Sequence, residues 1–319
     1  MLTSSIVTPL QPLKHPLFES HQLQVWMKRD DLNHPAIQGN KWHKLRLNLD
    51  QARKQGTLRL ITFGGAYSNH IAATAAAAKT FGFETVGMIR GDELANCPQK
   101  WSPTLLTAQA NGMQLHFMSR QAYRQKEDPA FLRQLQEDFP NSFILPEGGT
   151  NELAIQGFEA VIDQLDQQCP TWSHLYTAVG TGGTLAGLVK MSQRNPVSVR
   201  ALFGIATLNQ ADYLRESISH LADNRANTAH HSVTWQLLTQ YSSGGYAKTT
   251  EACLADQRWF ETNFGILLDP IYTSKMVHGF LEEMRLQRIP PNSKVILYHS
   301  GGLQGRPEDT DQENEVKTD

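Results

Sequence analysis

A lysine amine attacks a carbonyl only when it is neutral, and an ordinary lysine, with a pKa of about 10.4, is protonated at pH 7. Lys41, in "IQGNKWHKLRLNL" (residues 37–49), sits where that pKa is pushed down. Trp42, Leu45, Leu49 and Ala52 fall on one face of a helix that begins here. Asn40, behind Gly39, is read as its N-cap. A cation in the first turn meets the positive end of the helix dipole, and Lys44 adds like charge one turn later. A lysine so placed can form an imine with a carbonyl compound.

Four further stretches could serve that chemistry. In "VGTGGTLAG" (179–187) a strand enters a glycine turn and then a helix. Gly180, Gly182 and Gly183 there let the backbone bend and expose its amides, which with the helix N-terminus make a cradle for phosphate. The stretch lacks the GK[ST] of a nucleotide-binding P-loop. Leu185 stands where a dinucleotide fingerprint needs its third glycine, and "SVRALFGIATLNQ" supplies no acidic ribose partner. A phosphate monoester therefore fits better than a dinucleotide, with an NAD(P)-dependent oxidoreductase as the alternative from another class. In "FGGAYSNH" (63–70) Ser68 caps a second helix, and the amides of Ser68, Asn69 and His70 can hold a carboxylate. "DPIYTSKM" (269–276) presents Tyr272, and "YHSGG" (298–302) ends a strand in the hydroxyl of Ser300. Pyridoxal 5′-phosphate (PLP) is the carbonyl compound with one phosphate that uses a poised lysine, a cradle and a hydroxyl for its pyridine nitrogen.

Short apolar strands alternating with longer helical stretches must position these groups. Strands are expected at 23–29, 58–65, 84–90, 114–119, 174–180, 197–206 and 294–300, while "SFILPEGGT" (142–150) brings the chain to a Gly-Gly loop. Between them lie the Lys41 helix, an alanine-rich helix from Ser68, helices in "SPTLLTAQANG" and "PAFLRQLQEDF", one from about Glu152 to Gln167, and one in "LAGLVKMSQR". This is an α/β pattern of parallel-type sheets flanked by helices. Residues 206–250 break it, being polar and strand-poor, and read as a helix plus a loop.

At 319 residues, with a net charge of −2, the chain has length for two cores and no electrostatic reason to bind nucleic acid or an anionic membrane. No run of 18 apolar residues suggests a span, and the N-terminus lacks the pattern of a signal peptide. Cys97, Cys169 and Cys253 are widely spaced and odd in number, which suits a reducing cytoplasm. Adjacent His230 and His231 read as a surface loop rather than a metal site, so no metal is expected.

Taken together, "GNKWHKL", "GGAYSNH", "PEGGTN", "GTGGT", "DPIYT" and "HSGG" resemble the PLP-dependent family of D-cysteine desulfhydrase and 1-aminocyclopropane-1-carboxylate (ACC) deaminase, from about residue 8 to 305. The resemblance implies a tryptophan synthase β-like, two-domain fold type II enzyme, in which a smaller domain (44–153) is inserted into a larger one (1–43 plus 154–305). The acidic tail 306–319 is expected to be disordered. By the same resemblance Lys41 matches the lysine that anchors the cofactor, Asn69 the partner of its 3′-oxygen, and Gly180 to Thr184 its phosphate loop. Ser68 matches a serine at the substrate, with the Ser68–His70 amides on the substrate carboxylate. Tyr272 and Tyr246 match active-site tyrosines, and Ser300 the hydroxyl at the pyridine nitrogen. A homodimer and a small amino-acid substrate are implied as well. His70 and the Ala66–Tyr67 pair depart from the deaminase pattern "GGxxSNQ", and Thr273 stands where deaminases carry a glutamate toward the pyridine nitrogen. A hydroxyl partner favours α,β-elimination, so desulfhydrase-like chemistry is preferred and ACC deamination is second. A β-replacement enzyme and a PLP-binding protein without turnover complete the alternatives.

Overall fold

A computed structural model of the chain describes residues 6–194, 199–222 and 233–306. The strands are β1 (Leu10–Leu13), β2 (Gln24–Lys28), β3 (Arg59–Gly65), β4 (Glu84–Arg90), β5 (Gln114–Met118), β6 (Ser142–Leu145), β7 (His174–Val179), β8 (Arg200–Ala206), β9 (Val233–Leu238) and β10 (Lys294–Tyr298). The α-helices are α1 (Pro16–Ser20), α2 (Asn40–Lys54), α3 (Asn69–Phe81), α4 (Pro103–Ala110), α5 (Arg120–Tyr123), α6 (Pro129–Asp138), α7 (Glu152–Gln156), α8 (Glu159–Gln168), α9 (Gly183–Ser192), α10 (Leu214–Leu221), α11 (Glu251–Phe264) and α12 (Thr273–Arg285).

The strands form two sheets. One has the order β1-β2-β10-β7-β8-β9, the other β5-β4-β3-β6. All pairings are parallel except β1 with β2, which the connection through α1 joins as an antiparallel edge. Both sheets are covered on both faces. Along β10, Val295 and Leu297 join the core with Phe260 and Phe280, while Ile296 and Tyr298 join that of Phe158 and Leu185. Along β3, Leu60 and Ile61 likewise enter different clusters. Strands buried on both faces read as apolar runs because each successive side chain must be dry.

The alanines of α3 follow from the same packing. Ten of its residues, from Asn69 through Ala78, are buried, so small side chains let the helix lie close to its neighbours. It stops at Gly82, whose φ of +75° supplies a left-handed cap. The predicted apolar face of α2 is buried at Trp42, Leu45, Leu49 and Ala52.

Several local expectations are corrected. Asn40 is the first residue of α2 rather than its cap, which is Gly39. The helix expected over 152–167 is divided into α7 and α8 at Gly157 and Phe158, where Gly157 passes so close to α2 that a β-carbon there would lie 2.0 Å from the His43 carbonyl oxygen. The stretch 206–250 contains β9, whose buried Val233, Leu237 and Leu238 sit behind a long polar segment that masked the pattern. His230–His231 and 307–319 of the acidic tail lie outside the described residues. The tail's expected first residue, Arg306, is tied down, donating to the Leu268 carbonyl at 2.6 Å and to Glu261.

Candidate active site

The anchor of the site is the entry to α2. Gly39 has φ +67°, and a β-carbon there would stand 1.9 Å from the Ser300 carbonyl oxygen, so the α2 entry is pressed against the end of β10. Asn40 N–H donates to that same oxygen at 3.2 Å. Spared from capping, the Asn40 side chain spans the site. Its Nδ2 donates to Thr184 Oγ1 at 2.8 Å, and its Oδ1 accepts from Lys41 Nζ at 2.9 Å.

Burial lowers the Lys41 amine to about 8, opposed by the nearby Asp269 carboxylate. The like-charge effect expected on Lys41 falls on Lys44 instead. Lys44 is held well below its ordinary value by burial and then by the charge of Lys41. It is pinned away from Lys41, donating to the Gly148 carbonyl at 2.9 Å and to Thr150 Oγ1 at 3.2 Å.

The β3–α3 turn brings Ser68, Asn69 and His70 to the same space. Ser68 holds the N-cap position of α3, but its hydroxyl makes no capping bond and is left for other use. Asn69 accepts from Gln304 Nε2 at 2.9 Å. His70 is buried and shares a 2.8 Å contact with Thr62 Oγ1 through Nε2, while its Nδ1 has no partner. Burial, then the charges of Lys41 and Lys44, hold its pKa well below the ordinary value, so it stays neutral.

The β7–α9 turn supplies a different surface. Gly182 has φ +84°, and a β-carbon on it would meet Ile218 at 2.6 Å. Gly182 makes no side-chain cap bond, so the first-turn amides of α9 remain for a ligand. Thr181 Oγ1 bonds Thr150 Oγ1 at 2.8 Å, joining this turn to the segment after β6.

Tyr246 and Tyr272 face each other with ring centroids 6.4 Å apart. Burial raises Tyr246 to about 12 and holds Tyr272 well above its ordinary value, so both remain phenols. Thr273 does not reach the cavity. It is fully buried, and its hydroxyl closes the turn by accepting from Asp269 N–H at 2.6 Å.

One cavity of about 710 Å³ gathers Lys41, Ser68, Asn69, His70, Gly180, Thr181, Gly182, Thr184, Tyr246, Tyr272 and Ser300. Of the predicted site residues, Gly183 alone is outside its lining, because its α-carbon is turned against Thr150. Sequence reasoning missed Asp269, although "DPIY" contains it. That carboxylate is fully buried, is raised to about 6 by burial against the relief of backbone hydrogen bonds, and leaves Oδ2 without a hydrogen-bond partner. It also missed Thr150 and Arg90, whose parts depend on contacts far along the chain.

Residues 3–301 match the family model described as pyridoxal-phosphate dependent enzyme. The chain belongs to that family. It is 28% identical over 308 residues to the D-cysteine desulfhydrase of Klebsiella pneumoniae, covering 92% of this chain and 91% of that one. It is 25% identical over 304 residues to the mitochondrial bifunctional D-cysteine desulfhydrase/1-aminocyclopropane-1-carboxylate deaminase of Arabidopsis thaliana, covering 91% and 75%. The crystal structure of an ACC deaminase homologue superimposes with a TM-score of 0.79 at 25% identity, over 94% of this chain and 90% of that one. Among the described residues no helix is long and apolar enough to cross a membrane.

Proposed function

We propose that this PLP-dependent enzyme is a lyase that carries out α,β-elimination on a small amino acid, as a D-cysteine desulfhydrase does, giving pyruvate, ammonia and sulfide. The observation that carries this choice is the hydroxyl environment at the far wall of the cavity. Ser300 lines it, whereas Thr273, at the position where a deaminase would carry a glutamate, is sealed in its own turn.

The residues suit the cofactor. Gly180 to Thr184 and the uncapped α9 amides fit its phosphate, Lys41 its aldehyde, Asn69 its 3′-oxygen and Ser300 its ring nitrogen. When bound, the cofactor supplies an electron sink for a carbanion at the substrate α-carbon. The chain supplies the rest. The Ser68, Asn69 and His70 amides and the Ser68 hydroxyl orient the substrate carboxylate. Lys41, with its lowered pKa, takes the α-proton, since Tyr246 and Tyr272 hold their protons too tightly to act as bases and serve as donors. The β-substituent leaves with its electron pair, and water converts the resulting enamine to pyruvate and ammonia.

ACC deamination is the second reading, favoured by the bifunctional relative. It ranks lower because ring opening starts without a removable α-proton and gains from a carboxylate at the pyridine nitrogen. Two sequence-level expectations extend the proposal. They are a larger domain of 1–43 plus 154–305 with 44–153 inserted, and a cytoplasmic homodimer. All three cysteines are free thiols, which suits that compartment.

The test is release of pyruvate or 2-oxobutyrate from D-cysteine, L-cysteine, D-serine and ACC by the holoenzyme. Pyruvate with sulfide from D-cysteine is the expected result. 2-Oxobutyrate from ACC, with no pyruvate from any cysteine, reverses the order of the two readings.

A further inference from the structure

Four cationic side chains line the cavity: Lys41, Lys44, Arg90 and Lys126. Three have polar partners. Lys41 bonds Asn40, Lys44 bonds Gly148 and Thr150, and Lys126 pairs with Glu127 at 3.3 Å and Glu147 at 3.5 Å. Arg90 has no hydrogen-bond or ion-pair partner among the described residues. Its guanidinium carbon stands 5.8 Å from the centre of the Tyr123 ring, which braces it by a cation–π contact. Tyr123 is itself fixed, donating from its hydroxyl to Glu147 Oε1 at 2.8 Å.

The backbone sets where that guanidinium lies. Arg90 ends β4 and sits directly across from Gly65 in the parallel register. A β-carbon on Gly65 would lie 3.5 Å from Arg90 Nη2, so the side chain reaches over bare backbone at the entry to the Ser68 turn. Its charge also bears on Tyr246 across the cavity, opposing the burial that raises that phenol. Arg90 thus stands at the carboxyl end of the sheet, beside the proposed carboxylate site and facing the tyrosines.

We propose that Arg90 is a specificity-determining residue that binds an anionic group on the β-side of the substrate, so that, beside cysteine, small amino acids whose β-substituent is an oxyanion are accepted as substrates. This rests on the elimination reading above. The α-carboxylate is already served by the amides at Ser68–His70, and an unpaired planar guanidinium is suited to grip a second oxyanion through two parallel hydrogen bonds. The step balances. The α-proton passes to Lys41, the bond from Cβ to the substituent breaks, and its electron pair leaves on the oxyanion, whose growing charge Arg90 meets. One water then turns the enamine into pyruvate and ammonia.

The test compares isosteric probes that differ in charge. Calorimetric titration of the holoenzyme with aspartate and with asparagine, each as both enantiomers, reads binding without turnover, since neither has a leaving group. The expected result is tighter binding of one aspartate enantiomer than of the matching asparagine by about tenfold, abolished in Arg90→Gln and partly kept in Arg90→Lys. Equal affinities in the unaltered protein, or a preference that survives Arg90→Gln, overturn the proposal. Steady-state turnover of O-phosphoserine against serine gives a second readout. Arg90→Gln is expected to lower the ratio of the two kcat/KM values about tenfold, chiefly through KM for the phosphorylated substrate. An equal rise of both KM values would mean that Arg90 serves the α-carboxylate, and the proposal falls. If no amino acid releases pyruvate, the elimination reading fails by itself, and the aspartate preference still decides whether Arg90 reads an anion.

Discussion

The β3–α3 and β7–α9 turns are built alike, yet they offer ligands different things. Each carries a strand through glycines into a helix whose cap position makes no side-chain capping bond. In the first, the glycines keep ordinary backbone angles, and the opening residues Ser68, Asn69 and His70 bring polar side chains to the cavity. In the second, Gly182 takes φ +84° and the first turn offers backbone and threonine hydroxyls. A positive-φ glycine turn makes a concave nest of amides, suited to a phosphate held through every turnover. A turn rich in side chains suits a group that arrives, is oriented and leaves. On the proposed reading, the difference is one between holding a cofactor and handling a substrate, with Lys41 between the two.

The largest expected effect removes that link. Lys41→Ala should lose the visible absorbance of the bound cofactor and reduce pyruvate formation by at least about 10³-fold. An unchanged visible band would show that another residue is the anchor and undo the comparison at its centre. Next, Gly182→Ala places a β-carbon at positive φ and against Ile218, at a strain cost of about 1–3 kcal/mol. Apparent cofactor affinity, titrated by absorbance, should fall by about tenfold or more, while substrate KM at saturating cofactor moves little. A change in KM alone would mean that the two turns have exchanged roles.

A third measurement addresses protonation. Only the neutral amine of Lys41 can attack the cofactor aldehyde, so reconstitution of the apoenzyme should quicken as pH rises and level off above about 8. The Asp269 carboxylate raises the Lys41 pKa, so Asp269→Asn should move that limb to lower pH. Stopped-flow absorbance across pH 6–10 checks the sign, and a shift to higher pH contradicts it. The smallest effect on activity is expected for Thr273→Val. It removes a buried hydroxyl that accepts from Asp269 N–H, costing about 1–3 kcal/mol of stability, seen as a lower Tm, with the D-cysteine to ACC ratio unchanged. A changed ratio would bring Thr273 into the chemistry after all.

Much of this was legible in the residues. The glycine spacing at 180–183, the Ser68 helix start and the lysine after Asn40 are local signals, and the cavity contains eleven of the twelve predicted site residues. Local pattern misled where a distant contact intervened. Asn40 looked like a cap but reaches Thr184, 144 positions away, and Gly39 takes the cap position because Ser300 leaves no room for a side chain. Lys44 looked like the cation that would activate Lys41 but is spent on Gly148 and Thr150. Thr273 was read as the substitute for a glutamate and proved to be a turn residue. Asp269, Arg90 and β9 carried no local signature strong enough to single them out.

By itself, the sequence determined the strand–turn–helix units and the inventory of amines, hydroxyls and backbone cradles, because turn type, capping and apolar periodicity depend on residues a few positions apart. The tertiary structure decided which of those groups share one cavity, how far each amine is held from its ordinary pKa and which cation is left unpaired. Those properties come from burial and from partners supplied by distant segments, such as Gly148 for Lys44 and Asp269 for Lys41, and only folding brings these together.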